Sequence, residues 1–399
     1  MALHAAPMPL TGPARPLIDP PMRSHAPDYL WPDLPVTMME RFALIGIAAV
    51  LITGCSTDLD INAPYKDITV VYGLLNQRDS IHLVKINKAY LGEGDAFAMA
   101  QIADSNEYRN EDITYAKVFW INASGTAVDS FPLHDTLITN REPGTFNAPV
   151  QRLFTFTSPF VQPLNAGRMF LHQDGRYELR LQVKGNAVTA STLITNDFSI
   201  DPVSQDTVNN SARVNLMSAF GTDYSSYEFK WKSRANGKRY VVSYRFRYDE
   251  VTGTDTVRTA FIQQMGTRVA TNSANIEPMA AVIGGEAFFS SLAGYAKSNP
   301  NWGNVDKRIF RGMDFLISVA NDDFHTYLTL TEPVSGIIED RPAYSNLDGA
   351  FGVWGSRYTK NANGKRLSSN TLQQLKFGSY TGDLRFCSAL DPGGVYSCN

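Results

Sequence analysis

The chain has 399 residues, of which 43% are hydrophobic and 19% are charged, so it can bury large cores and is not disordered as a whole. Its 36 Lys and Arg residues against 39 Asp and Glu give a net charge of −3, which leaves no basic surplus for nucleic-acid binding. The one long apolar run, residues 42–52, is too short to cross a bilayer as a helix, which excludes a polytopic membrane protein.

Residues 1–37 do not fit a signal sequence. They hold nine of the 21 prolines and carry a net charge of −1, where a signal peptide begins with positive charge. We predict that translation starts at Met38 or Met39, and that residues 1–37 are a mis-assigned, disordered extension. The alternative is a proline-rich arm in the polyproline II conformation.

Residues 38–54 have the order of a secretory signal peptide: two Met residues, one Arg, an apolar run and small residues before Cys55. The sequence Ile52-Thr53-Gly54-Cys55 resembles the bacterial lipobox. This match implies cleavage between Gly54 and Cys55, a diacylglycerol on the thiol, and an acyl chain such as palmitate on the new amine. Several acyl chains on one residue make a permanent membrane anchor. The alternative is a buried helix that ends in a cysteine.

Two cysteines remain near the C-terminus once Cys55 carries lipid. Cys387 and Cys398 are separated by ten residues that include the turn-forming sequence Asp391-Pro392-Gly393-Gly394. Such a turn can bring the thiols together, and an oxidising compartment would let them pair. We therefore predict a Cys387–Cys398 disulfide, which closes a short loop and stabilises the fold by about 3 kcal/mol. Two free thiols are the alternative.

Alternating apolar and polar residues predict many strands. Two segments, residues 177–192 around Gly185-Asn186 and residues 227–246 around Asn236-Gly237, have the pattern of hairpins. Further strands are predicted at residues 68–75, 81–86, 115–121, 152–156, 257–263, 315–319 and 327–330.

Helical patterns are few. They cover residues 97–103 after a capping Asp95, residues 286–297 and residues 370–376. The predicted fold is therefore mainly β, with two β domains. We expect an immunoglobulin-like sandwich over residues 55–200, a linker at 201–210, and a second β domain with one or two short helices over 211–399.

The sequence contains no recognisable catalytic or cofactor motif. The histidines that follow the signal peptide do not pair at metal-ligand spacing, and no nucleophile elbow, phosphate-binding loop or dinucleotide fingerprint is present. We expect no metal, no cofactor and no catalytic residue. The alternative is a carbohydrate-active hydrolase that uses paired carboxylates from Asp322, Asp323, Glu339 and Asp340, with His325 nearby.

Aromatic residues in loop-like or glycine-rich surroundings are the better candidates for ligand or partner contact. Trp302 lies among Asn, Pro and Gly residues, and Tyr344 and Trp354 flank Gly349. An exposed aromatic ring can stack on a sugar or on a partner side chain. The alternative for each is a place in the β core.

Several segments resemble those of uncharacterised Bacteroidota lipoproteins, which carry a domain of unknown function often encoded near SusC/SusD-like outer-membrane uptake systems. The segments are residues 85–90 (KINKAY), 311–315 (RGMDF), 321–327 (NDDFHTY), 341–346 (RPAYSN) and 349–357 (GAFGVWGSR). The resemblance covers most of residues 55–390. It implies an outer-membrane lipoprotein with a β-rich fold, and it implies no catalytic residue.

These observations together predict a membrane-anchored, non-enzymatic binding or accessory protein of the cell envelope. We expect the acyl anchor to hold it in the membrane and an envelope protein or a glycan to be its partner. Residues 56–60 are only sparsely acidic, so the periplasmic and surface faces of the outer membrane both remain open. The alternatives are the carbohydrate-active hydrolase and a structural envelope or adhesin component.

Overall fold

Strands make up most of the regular structure, as the alternation in the sequence predicts. The computed structural model describes residues 68–89, 95–159, 161–164, 167–332 and 344–398. The predicted extension, the predicted signal peptide and Cys55 lie outside these residues. Among the described helices, none is both long enough and apolar enough to cross a membrane.

Eighteen strands and six α-helices are described. The strands are β1 (Ile68–Leu75), β2 (Ile81–Ala89), β3 (Ile113–Ile121), β4 (Ala127–Pro132), β5 (His134–Ile138), β6 (Gln151–Thr157), β7 (Gln162–Leu164), β8 (Gly167–Met169), β9 (Arg176–Val183), β10 (Asn186–Leu193), β11 (Ser226–Lys232), β12 (Arg239–Thr252), β13 (Asp255–Val269), β14 (Pro278–Gly284), β15 (Lys307–Ala320), β16 (Leu347–Asp348), β17 (Phe351–Lys365) and β18 (Phe386–Ser388). The helices are α1 (Ala96–Ala100), α2 (Ala103–Asn106), α3 (Pro202–Gln205), α4 (Gly285–Lys297), α5 (Asp322–Thr331) and α6 (Ser369–Phe377).

The N-terminal half forms a sandwich of two sheets. One layer has the order β5-β6-β2-β1-β17, and the other has the order β4-β3-β9-β10-β16. Inward side chains of both layers form one cluster, the first core, in which Val71, Val84, Val118, Leu179 and Val188 are fully buried. Burying each such side chain stabilises the fold by about 1.5–3 kcal/mol. The predicted mainly β class and the sandwich are confirmed.

Strand β17 belongs to both halves of the chain. Residues 351–356 pair in parallel with β1, and residues 357–365 pair antiparallel with β15. The pairing of β17 with β1 depends on Gly352, which has a φ of 119°. A Cβ added to Gly352 would lie 2.0 Å from the Val71 carbonyl oxygen of β1. Only glycine fits this approach.

The C-terminal half has its own core beneath the sheet β13-β12-β15-β17, where β18 runs parallel to the first part of β15. This second core also receives side chains from the β11–β14 pair and from helices α4 and α6. Aromatic rings dominate it: Phe229 stacks on Phe315 with ring centres 4.3 Å apart, and Phe246 stacks on Phe310 at 5.0 Å. Such pairs add about 0.5–1.5 kcal/mol beyond area burial.

The predicted hairpin over residues 227–246 is wrong. Asn236 does turn the chain, with a φ of 64°, but β11 pairs with β14 whereas β12 pairs with β13 and β15. Both β11 and β12 bury their apolar faces in the second core, so they face each other across it instead of sharing a sheet. Burial in the core outweighed the local turn signal.

Two smaller predictions also need correction. The hairpin of β9 and β10 is confirmed, but its turn is Lys184-Gly185, because Asn186 already pairs with Val183. Residues 327–330 are the end of helix α5 and not a strand. The helix begins at Asp322, because the preceding Asn321 side chain accepts a hydrogen bond from the Phe324 backbone N–H.

Most other predicted elements are confirmed to within a few residues. Strand β1 begins and ends where the alternation predicts, and β2, β3, β6, β13 and β15 contain the predicted segments. The Asp95 carboxylate caps α1 by accepting from the Phe97 N–H, and α4 and α6 occupy the two remaining predicted helical segments.

The two cores meet within a single compact unit, Asn62–Asn399. Residues 71–194 supply most of the first core, and residues 198–386 supply the second. Strand β16 and the start of β17 come from the C-terminal half yet contribute Leu347 and Trp354 to the first core. The division into domains at residues 201–210 stays a prediction.

A buried lysine holds the segment between the two cores. Lys365, at the end of β17, is fully buried and donates hydrogen bonds to the backbone carbonyl oxygens of Val203, Asp206 and Ala212. Burial lowers the pKa of its ammonium to about 8, which still leaves the group mostly protonated at pH 7. Three donors therefore match three acceptors.

We expect Lys365→Met to lower the free energy of unfolding by about 3 kcal/mol, because it removes the donor from three backbone carbonyl groups, of which that of Ala212 is buried. Urea denaturation would measure the loss, and limited proteolysis should cut residues 201–212 faster. Lys307→Met, at an exposed position that starts β15, is the control for the lost charge. Equal stability of the two variants would contradict this role for Lys365.

Low pH should lower the free energy of unfolding through the buried side chain of His82. This side chain is 2% exposed, lies with Nε2 2.9 Å from Ser158 Oγ, and stacks on Phe156. Burial lowers its pKa to about 4, whereas the unfolded chain takes up the proton near pH 6.5. Stability should therefore fall as the pH drops from 6.5 towards 4, by about 2 kcal/mol at pH 5.

Urea denaturation at pH 8 and at pH 5 would test this expectation. The difference between the two should shrink in His82→Gln, which carries no titrating ring. His134→Gln, at an exposed position in β5, should keep the full difference. An unchanged pH dependence in His82→Gln would show that another group is responsible.

Candidate functional site

The two C-terminal cysteines form the predicted disulfide. Cys387 and Cys398 are bonded, with Cα atoms 5.0 Å apart. Cys387 lies in β18, which pairs with β15, so the bond ties the end of the described chain to the second core. The adjacent backbone supports it, because Ser388 N–H donates to the Tyr396 carbonyl and Cys398 N–H donates to the Ser388 carbonyl.

The candidate carboxylates lie at the start of helix α5, and Asn321 organises this region. Its side chain is 2% exposed, and its Nδ2 donates to Thr192 Oγ1 at 2.7 Å and to the Leu193 carbonyl at 3.2 Å. Its Oδ1 accepts from the backbone N–H groups of Phe324 and Ser356, each at 3.1 Å. One amide therefore connects β10, β17 and α5.

Asp322 and Asp323 use their carboxylates in different contacts. Asp322 accepts from the Ser273 hydroxyl, whereas Asp323 Oδ2 accepts from Thr192 Oγ1 at 2.9 Å and from Asn321 Nδ2 at 3.1 Å. Burial raises the pKa of Asp323, while its hydrogen bonds act in the opposite direction. Both carboxylates lie in the first turn of α5, where negative charge stabilises a helix.

Two more predicted residues lie beside this helix start. Burial, followed by the charges of the neighbouring Asp323 and Asp322 carboxylates, raises the pKa of Tyr344. His325 follows Asp323 by two residues in α5, and burial together with the positive charges of Arg239 and Lys238 lowers its pKa. The other predicted acids, Glu339 and Asp340, lie outside the described residues.

Trp302 lies apart from this cluster, at the edge of the second core. It opens a 3₁₀ turn, Trp302–Asn304, and is half-buried. The Lys297 ammonium lies 5.3 Å from the centre of its ring, and Arg308 donates to its carbonyl. Its contact with a ligand or partner stays a prediction.

The prediction that Trp354 contacts a ligand or partner is wrong. Its side chain is fully buried in the first core, and its indole N–H donates to the Tyr177 carbonyl in the opposite layer. The six-membered ring lies over Gly73, where an added Cβ would come within 2.4 Å. Because the glycines around Trp354 have no side chain, the backbone and the Trp354 ring can pack closely in the core.

A groove lined by arginines, which no pattern in the sequence predicted, lies on the outer face of the sheet β13-β12-β15-β17. Arg245 and Arg247 in β12, Arg258 in β13 and Arg311 in β15 line a space of about 460 Å³. The alternation of Arg245 and Arg247 with buried aromatic residues was visible in the sequence. Arg258 and Arg311 lie beside these two residues because of strand pairing, and this pairing could not be predicted from the sequence.

Within the described ranges, no group of three or more His, Cys, Asp or Glu side chains is arranged to hold a metal ion. Comparison with known proteins finds no family model and no curated protein that matches the chain.

We expect Asn321→Ala to lower the free energy of unfolding by about 3 kcal/mol. The substitution removes the α5 cap and leaves the Ser356 N–H and the Leu193 carbonyl without this partner. Chemical denaturation followed by circular dichroism would measure the loss. Asn301→Ala is the matched control, because Asn301 precedes a 3₁₀ turn without capping it through its side chain. A loss no larger than that of the control would contradict the role of Asn321.

Proposed function

We propose that the chain is a membrane-anchored lipoprotein of the cell envelope that acts as a non-enzymatic binding or accessory protein. The observation that carries the proposal is the agreement between two separate cysteine features. The lipobox-like sequence ends at Cys55, and the other two cysteines form a disulfide.

Both features belong to an exported protein. Disulfides persist in oxidising compartments such as the bacterial periplasm and are rare in the cytosol. Lipid attachment at Cys55 requires that the following residues cross the membrane. The resemblance to Bacteroidota lipoproteins supports the outer membrane as the site of anchoring.

The positions of the candidate acids support a non-enzymatic role. Asp322 and Asp323 bind neighbouring side chains at a helix start: Asp322 binds Ser273 in the loop after β13, and Asp323 binds Thr192 in β10. Glycoside hydrolysis needs two carboxyl groups that flank the scissile bond from opposite sides. Adjacent residues engaged in separate structural contacts do not supply that arrangement.

Cys55→Ala should release the protein from the membrane. Native protein should partition into the detergent phase and carry acyl chains by mass spectrometry, whereas the variant should remain in the aqueous phase. Cys398→Ser is the control, since it replaces a cysteine and breaks the disulfide without touching the anchor. Native protein with a free Cys55 thiol and an attached upstream peptide would contradict the proposal.

The same pair of proteins tests the accessory role. Pull-down from detergent-solubilised membranes should recover an envelope protein or a glycan with the acylated chain. Turnover of a glycan that is abolished by Asp323→Asn would instead establish a hydrolase.

A further inference from the structure

The arginine groove consists of Arg245, Arg247, Arg258 and Arg311, on the face of the sheet opposite the second core. It arises from alternation along β12. Tyr244, Phe246 and Tyr248 are buried, so the intervening side chains point outward.

Two carboxylates hold three of the arginines in place. Asp314, only 3% exposed, accepts from Arg245 Nε and from Arg247 Nη2, each at 3.1 Å, and lies 2.9 Å from Arg247 Nε. Asp249 accepts from Arg311 Nε at 2.7 Å. These contacts use the Nε side of each guanidinium, and Asp314 is fixed in turn by the Gly364 N–H. The arginines are therefore positioned before any ligand arrives.

The guanidinium groups keep free donors. The side chains of the three paired arginines are between 37% and 42% exposed. In the described part of the chain no hydrogen bond uses Nη1 of Arg245 or Arg247. Arg258 is exposed, opposite Asp249 in the strand register, and forms no ion pair with a described residue.

The charges of the groove do not cancel. Four guanidinium groups stand against the two carboxylates of Asp249 and Asp314, which leaves a charge of about +2 on one small surface. The nearby Glu250 does not reduce it, because its carboxylate pairs with the buried Arg308. This positive surface is local, since the whole chain has a net charge of −3.

We propose that the arginine groove binds a ligand through a phosphate monoester group. Such a group carries a charge of about −1.5 to −2 at pH 7 and three acceptor oxygens, which match the surplus charge and the free N–H groups of the groove. A lone carboxylate would neutralise only half of that charge. The inference rests on the proposed binding role and names the chemistry of its ligand; the source is a soluble phosphate or a lipid headgroup.

Isothermal titration of the full chain in detergent tests the proposal. The probes are inorganic phosphate, short-chain phosphatidic acid, and short-chain phosphatidylcholine, whose phosphate is a diester. We expect Arg258→Gln to weaken binding about tenfold, a loss of one charge-assisted contact. Arg176→Gln, an exposed arginine on β9, should leave the affinity unchanged. Added salt should weaken binding, because the groove is open to solvent.

The outcomes separate the possibilities. Binding of inorganic phosphate supports a soluble ligand, whereas binding of phosphatidic acid alone supports a lipid headgroup. The proposal is overturned if neither probe binds, if phosphatidylcholine binds as well as phosphatidic acid, or if Arg258→Gln behaves like Arg176→Gln. Cys55→Ala should bind the phosphate probe unchanged, so loss of the anchor and failure of the groove give different results.

Discussion

The fold depends on strand β17, which has to pair correctly with strands from both halves of the chain. Strand β17 pairs with β1 through residues 351–356 and with β15 through residues 357–365. Its side chains reach both cores: Trp354 fills the first, and Tyr358 fills the second. A shift of the β17 register by one residue would turn both side chains away from their cores. Packing in each core therefore fixes the register of this strand. Ser356, where the strand changes partners, is also the residue whose backbone N–H Asn321 binds.

A few buried side chains bind backbone and side-chain polar groups between the cores. Asn321 links β10, β17 and α5, and Lys365 gathers three carbonyl groups from the segment that joins the cores. Buried amide and ammonium groups are tolerated where every donor finds an acceptor. The candidate acids Asp322 and Asp323 lie beside this same framework, and Asp323 accepts hydrogen bonds from Thr192 and Asn321.

The parts of the fold that could be predicted are those specified by neighbouring residues. Strand β1, the Asp95 cap of α1 and the Cys387–Cys398 pair depend on alternation, capping and short spacing. The hairpin at Asn236 was predicted wrongly because a turn signal states that the chain reverses, and not which sheet receives it. The strand predicted at residues 327–330 is wrong although the Asn321 cap that starts α5 is a local signal, because a segment of four residues with apolar Tyr327 and Leu328 also fits a short strand. The arginine groove combines three strands, so no single segment reveals it.

The parallel pairing of β1 with β17 also sets an order of events during synthesis. Leu75 and Ser356 are neighbours in the sheet but lie about 280 residues apart in the chain. Until the ribosome has released that distant partner, β1 presents an unpaired apolar edge, and such edges invite aggregation. The N-terminal sandwich is therefore the first part to be synthesised and among the last to be completed.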